Sequence, residues 1–218
     1  SIVLTMVLAE LGFAVEAQLT DGKFVLHLRE QVATTAGDQT TKPVVRTERW
    51  NPDQTAVIVC DMWDSHHCYN SVQRVKDMAG RMNEVLKAAR GAGALIIHCP
   101  SSCMRTYDGH PARIRAQHAP TAENLPDQIG QWCVRIPSEE NIRYPIDQSD
   151  GGEDDSPEVH RKWHEQLAAQ GKNPLSPWSR QYEPLEIHDE DAITDSGVEV
   201  WNLLGEREIE NVMLLGVH

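Results

Sequence analysis

The stretch Ala56-Val-Ile-Val-Cys-Asp61-Met-Trp-Asp64 decides the fold. Val57 to Cys60 are apolar without alternation, the pattern of a strand covered on both faces, and the run delivers a carboxylate, Asp61, into the loop that follows. Beyond that loop, Asn70 or Ser71 can cap a helix whose apolar residues are Val72, Val75, Ala79, Met82, Leu86 and Ala89. Their steps of three and four form one buried stripe, and Gly91 and Gly93 end it. Ala94-Leu-Ile-Ile-His-Cys99 then reads as a second buried strand, stopped by Pro100. A strand–helix–strand unit of this kind makes a parallel pair with a right-handed crossover.

The rhythm is weaker on either side. Residues 24–30 and 44–50 read as short strands or extended arms, separated by a polar, turn-like stretch from Ala33 to Lys42. Residues 101–182 are rich in Pro, Ser, Asp, Gln and Trp, with one helical stretch near Glu158–Ala169, and read as a long insertion over the sheet edge. Leu185-Glu-Ile-His188 reads as a weak third strand. Ser196 caps a short helix carrying Val198, Trp201 and Leu204, and Val212 to Val217 is a fourth strand. The expected class is α/β, three-layered, with a mostly parallel sheet flanked by helices. The expected division is a leader or extended arm at 1–52 and an α/β domain at 53–218 that carries the insertion at 101–182.

Composition narrows the function. Of 218 residues, 40% are hydrophobic and 24% charged, ordinary for a globular chain, while the formal net charge of -13 opposes both a nucleic-acid footprint and docking on anionic lipid. A small-molecule substrate fits better. Ile2 to Ala17 reads equally as the tail of a signal peptide, which would imply export, or as an ordinary N-terminal helix or leader remnant. Charge and length exclude it as a membrane span. The five cysteines form no CxxC pair: Cys60 and Cys99 read as core residues, whereas Cys68, Cys103 and Cys133 lie in loops where an oxidising compartment would let them pair.

Asp61 closes a core strand at its carboxyl end, where open α/β sheets bind ligands. A carboxylate there can act as a general base, or simply brace the turn. With the strand before it, and with Asn211-Val-Met-Leu-Leu-Gly216-Val-His218 at the other end of the chain, it resembles the isochorismatase-like cysteine hydrolases. The resemblance covers roughly residues 54–100 and 185–218. It implies a Rossmann-like α/β fold, homo-oligomers, no cofactor, and cleavage of an amide or related bond of a small molecule, with Asp61 as base. Gly216-Val217-His218 is similar to the start of the family's nucleophile turn. His218 would then join a non-proline cis peptide with Val217 that helps to aim backbone N–H groups at the oxyanion. The nucleophilic cysteine would lie about four residues past His218, at a helix N-terminus that favours the thiolate. On this pattern the 218 residues stop short of the nucleophile.

Trp63 and His66 fall where the family's substrate-contacting loop lies; Trp63 reads equally as packing under the insertion. The family's catalytic lysine has no counterpart in Glu186-Ile-His-Asp-Glu-Asp-Ala192, so Lys162, Lys172, Arg180 or His188 would have to supply that charge. That gap motivates two rivals: a degenerate family member that binds without turnover, and a metal-dependent hydrolase using Asp108, His110 and His118. No metal is assigned on balance. His66 and His67 read as surface residues, and the acidic run Asp147–Asp155 as a solvated loop.

Overall fold

A computed structural model describes residues 3–6, 19–34, 41–132 and 153–216. The central sheet has five parallel strands in the order β1 (Val3–Met6), β8 (Asn211–Gly216), β5 (Thr55–Cys60), β6 (Leu95–Cys99), β7 (Ala192–Ile193). The other β-structure is antiparallel: β2 (Leu19–Thr20), β3 (Lys23–Ala33) and β4 (Thr41–Trp50). The arms expected at 24–30 and 44–50 are therefore one long hairpin. Its root residues Phe24 and Trp50 are buried against the main core. Val3–Met6, read from sequence as helix or leader, pairs instead with β8 along the sheet edge.

Uniformly apolar β5 and β6 are covered on both faces. One face packs Val57, Val59 and Ile96 against Val75, Met82, Leu86 and Ala89 of α1 (Tyr69–Gly91). The other packs Ala56, Ile58, Leu95 and Ile97 against Ala116 of α2 (Pro111–His118) and Leu203 of α4 (Gly197–Glu206). This is the expected α/β architecture, a parallel sheet between helices. No helix among the described residues is long and apolar enough to cross a membrane.

Both ends of α1 are fixed by distant residues. Its cap position is Cys68, whose side chain makes no capping bond. Neither Asn70 nor Ser71 fills that role. The Asp155 carboxylate instead accepts from the backbone N–H groups of Tyr69 and Asn70 at 2.6 and 2.9 Å. Asp154 accepts from Cys68 Sγ at 3.3 Å and pairs with Arg74 at 2.7 Å. These carboxylates satisfy orphan donors and oppose the positive helix end, so this part of the acidic run is a helix cap rather than a solvated loop. Residues 147–152 lie outside the described residues. At the other end, Gly93 (φ 103°) and Ala94 donate to the carbonyls of Arg90 and Ala89, a Schellman turn. Replacing Asp155 by Ala is expected to cost about 1–2 kcal/mol, the usual worth of a helix cap. Urea unfolding would read it as a lower midpoint with an unchanged slope.

Leu185–His188 is not a strand. Its donors are spent outside any sheet: Leu185 N–H on Tyr182 O, Glu186 N–H on the distant Asn83 Oδ1 and His188 N–H on Asp191 Oδ2. The third strand after β5 and β6 is the two-residue β7, which pairs with Ile97 and His98. Within the stretch 101–182, α3 (Pro157–Ala169) begins at the Ser156 cap close to where a helix was expected, and α2 lies against the sheet as a core helix.

Candidate functional site

The carboxyl ends of β5, β6, β7 and β8 meet at one edge of the sheet, and Asp61 stands among them. Its backbone takes the left-handed conformation (φ 47°), which an aspartate tolerates better than most residues. This sharp turn follows directly from the last residue of β5, and Asp61 N–H donates to Cys99 O at 3.1 Å. Its carboxylate Oδ1 accepts from Ser101 N–H at 2.9 Å, and its second oxygen has no hydrogen-bond partner among the described residues. Across β7, Asp195 Oδ2 accepts from the next amide, Ser102 N–H, also at 2.9 Å. Two carboxylates are thus oriented by consecutive backbone donors of the loop after β6.

Gly216 pairs with Cys60 in the β5–β8 register, and its Cα lies close against that strand: a Cβ added there would sit 2.2 Å from Cys60 O. The end of β8 is therefore pressed against the residue that precedes Asp61. The thiols nearby are held protonated. Burial, then the Asp61 charge, pushes Cys60 up to about 11. Burial, then Asp64, Asp61 and Asp195, pushes Cys103 up to about 12. Cys99 is also raised well above the ordinary range, by burial first and then by the charges around it. A thiol so shifted is not a thiolate nucleophile at neutral pH. Cys60, Cys68, Cys99 and Cys103 are all unpaired with one another, and Cys133 lies outside the described residues.

The loop after β5 is zipped to residues 178–182. Asp64 N–H donates to Arg180 O, Tyr182 N–H donates to Met62 O, and the Asp64 carboxylate accepts from the Ser179 N–H and hydroxyl. Trp63 is buried, stacks on Trp178 with centroids 4.5 Å apart, and donates its indole N–H to Ser101 O. It packs there against the 101–182 segment. His66, half-buried, stacks on the same pair of indoles at 5.6 and 5.9 Å.

No protein-family model matches the chain, and no curated protein matches it.

Several sequence candidates are not brought to this edge. His110 Nδ1 accepts from Ala112 N–H to cap α2, and His118 Nδ1 faces the Ile114 carbonyl of its own helix. With Asp108 they form no ligand cluster among the described residues. Lys162 pairs with Glu158 on an exposed face of α3, and His188 lies between Glu186 and Glu190 at 3.4 Å from each. Val217 and His218, where the resemblance implies a cis peptide that aims donors at the oxyanion, lie outside the described residues.

Two features escaped the sequence reading. Asp195 follows β7 as Asp61 follows β5, but a two-residue strand gives no pattern to announce it. The second is a buried polar network. His98, fully buried on β6, bonds Gln181 Oε1 through Nδ1 at 3.0 Å and Asp191 Oδ2 through Nε2 at 3.2 Å. Arg90 closes it with a bidentate pair to Asp191, both contacts 2.8 Å. The network ties the end of α1 and β6 to the loop that leads into β7.

Proposed function

We propose that the chain belongs to an isochorismatase-like cysteine hydrolase acting on the C–N bond of a small amide, with Asp61 as general base. The observation that carries this reading is the juxtaposition of Asp61 with the end of β8: a carboxylate with one oxygen fixed by Ser101 N–H lies one residue past the strand position against which Gly216 packs. Following the resemblance, a cysteine on the turn beyond β8 would give its thiol proton to Asp61. The thiolate would add to the amide carbonyl, and the C–N bond would break as Asp61 returns the proton to the departing amine. Water would then hydrolyse the thioester, with Asp61 again accepting a proton. Cys60, Cys99 and Cys103, held protonated by burial, are not suited to that nucleophilic role.

The charge at the strand ends narrows the substrate. Asp61, Asp64 and Asp195 surround the loop after β6, against the single positive charge of Arg180 felt at Tyr107. A neutral or cationic amide suits this environment better than a carboxylate substrate. Trp63 and His66 would border it as an aromatic wall.

The full-length protein, incubated with a panel of neutral and cationic small amides and assayed for amine release, tests the reading. Asp61→Asn should lower kcat/KM at least about a hundredfold, as expected for a lost general base. Thiol alkylation should inactivate and chelators should not. The missing lysine favours one rival, a family member that binds without turnover. Amide binding that is undiminished in Asp61→Asn, with no amine released by either protein, would establish that rival instead.

A further inference from the structure

The hairpin of β3 and β4 runs well past the core that holds its root. Ten residue pairs link the two strands, from Phe24 with Trp50 to Ala33 with Thr41. Phe24, Leu26 and Leu28 pack one face of this ribbon onto the apolar cluster around α1. From Arg29 outward, no described residue of the ribbon joins either core cluster. About 17 Å of two-stranded ribbon therefore stands alone, a form that is marginally stable at best in water. Val45, on this outer part, is 62% exposed.

Strand alternation puts Lys23, His27, Arg29, Val45 and Arg49 together on the face turned away from the core. Among the described residues, that face carries three fixed cations and no carboxylate; Asp21, in the turn beside it, comes within 3.9 Å of Arg49. The whole chain, by contrast, has a net charge of -13. One surface carries that excess without lysine or arginine of its own. Residues 183–190 expose Glu183, Glu186, Asp189 and Glu190. Their neighbour His188 pairs with Glu186 and Glu190, and Arg115 reaches the Asp189 backbone carbonyl rather than its side chain. Leu185 in this loop and Leu26 and Leu28 of the ribbon belong to the same apolar cluster, so both surfaces lie on one side of the sheet.

We propose that the outer face of the ribbon docks on residues 183–190 of a second copy of this chain, with Lys23, Arg29 and Arg49 meeting Glu186, Asp189 and Glu190. A two-fold axis makes the contact reciprocal, each arm covering the other copy's loop. Opposite charge on the two surfaces selects arm against loop and opposes arm against arm. A face about 33 Å long and about 10 Å wide offers roughly 330 Å2, and two arms with the loops beneath them bury more than about 1,000 Å2, enough for a specific interface. Pairing through the outer edge of β4 is opposed by Pro43, which has no N–H to donate, and by Lys42, Arg46 and Arg49 along the strand. The net charge opposes nucleic acid as the occupant. This interface is independent of the amide hydrolysis proposed above.

Sedimentation equilibrium of the full-length protein tests the interface. A dimer is expected in about 50 mM salt, with its dissociation constant raised at least about tenfold in about 1 M salt, where the screening length falls to about 3 Å. Reversing the arm (Lys23→Glu with Arg29→Glu) or the loop (Glu186→Lys with Glu190→Lys) should weaken self-association at least about tenfold. Mixing the two variants should restore a dimer of wild-type affinity, because each arm then faces a loop of opposite charge. A monomeric wild type, or a dimer that neither reversal weakens, would overturn the interface. So would two weakened variants that keep the wild-type circular dichroism and yet fail to recombine. If either variant fails to fold, hydrogen exchange of the wild type above and below its dissociation constant decides the matter. Added protection at 29–33 and 183–190 together upholds the proposal, and protection confined to other segments refutes it.

Discussion

Asp191→Asn is expected to destabilise the protein by about 3–5 kcal/mol, the usual cost of removing one partner from a buried ion pair. Asp191 is 1% exposed and Arg90 only 11%, so the substitution leaves a guanidinium with little water and no counter-charge. His98 and the His188 N–H lose an acceptor at the same time. Burial by itself would raise the Asp191 carboxyl, but hydrogen bonds from His98, Arg90 and the His188 backbone outweigh it and hold the group well below the ordinary value of 3.8. The sign of the pH effect follows. Below about pH 4 the unfolded chain takes up this proton before the native one does, so stability is complete above that pH and falls as acid titrates the folded carboxyl. Urea midpoints measured from pH 7 down to pH 2 should therefore drop steeply for the wild type below about pH 4. Asp191→Asn should start lower and fall less. A variant as stable as wild type at pH 7 would show that the network is not what holds the loop before β7.

Gly216→Ala is expected to cost about 3 kcal/mol or more, the upper end of overpacking penalties. The added methyl would meet the carbonyl oxygen of Cys60 at 2.2 Å and its carbon at 3.1 Å. Both are strand backbone, so no rotamer change relieves the clash and β8 must move away from β5. In a domain of this size that corresponds to a melting temperature lower by about 6–12 °C. Thermal unfolding followed by circular dichroism reads it directly, and a change within about 2 °C would contradict the close approach. Under the proposed function, activity should fall further than stability, because the shift also moves the chain after Gly216 relative to Asp61.

What the sequence made legible was the part governed by burial on both sides. Val57–Cys60 and Leu95–Cys99 are apolar enough, and the α1 stripe regular enough, that only a strand–helix–strand reading accommodates them. Ser196 and the helix after it were legible for the same local reasons: its side chain accepts from Glu199 N–H as a cap should. The failures were places where long-range partners replaced local pattern. Helix α2 buries Ala112, Ala116 and an arginine, Arg113, which bonds Ile193 O and Glu199 rather than facing water. Small and charged residues on a core face leave no apolar stripe to read. Leu185–His188 alternated like a strand, but Asn83 and Asp191 claimed its amides. His66 looked like a surface residue because the residue that covers it lies on α3, with Trp163 reaching back 97 positions to bond its carbonyl. Asp61 was legible as the residue at a strand's end. The conformation of its turn and its neighbour Asp195 were not.

The capping of α1 has a consequence for how the chain is made. The acceptor that holds its first turn, Asp155, lies 85 positions beyond Asn70, and the one that holds Arg90 lies 101 positions beyond it. A ribosome adding about 5–20 residues per second would expose β5, α1 and β6 for roughly 3–11 seconds before the first of these carboxylates, Asp155, emerged. During that interval the helix has its stripe but not its end clamps, and the apolar faces of β5 and β6 lack α4 and β8. The nascent chain is therefore most vulnerable to chaperone capture or aggregation through the segment whose pattern is strongest. Slower synthesis across residues 92–155 would lengthen that exposure.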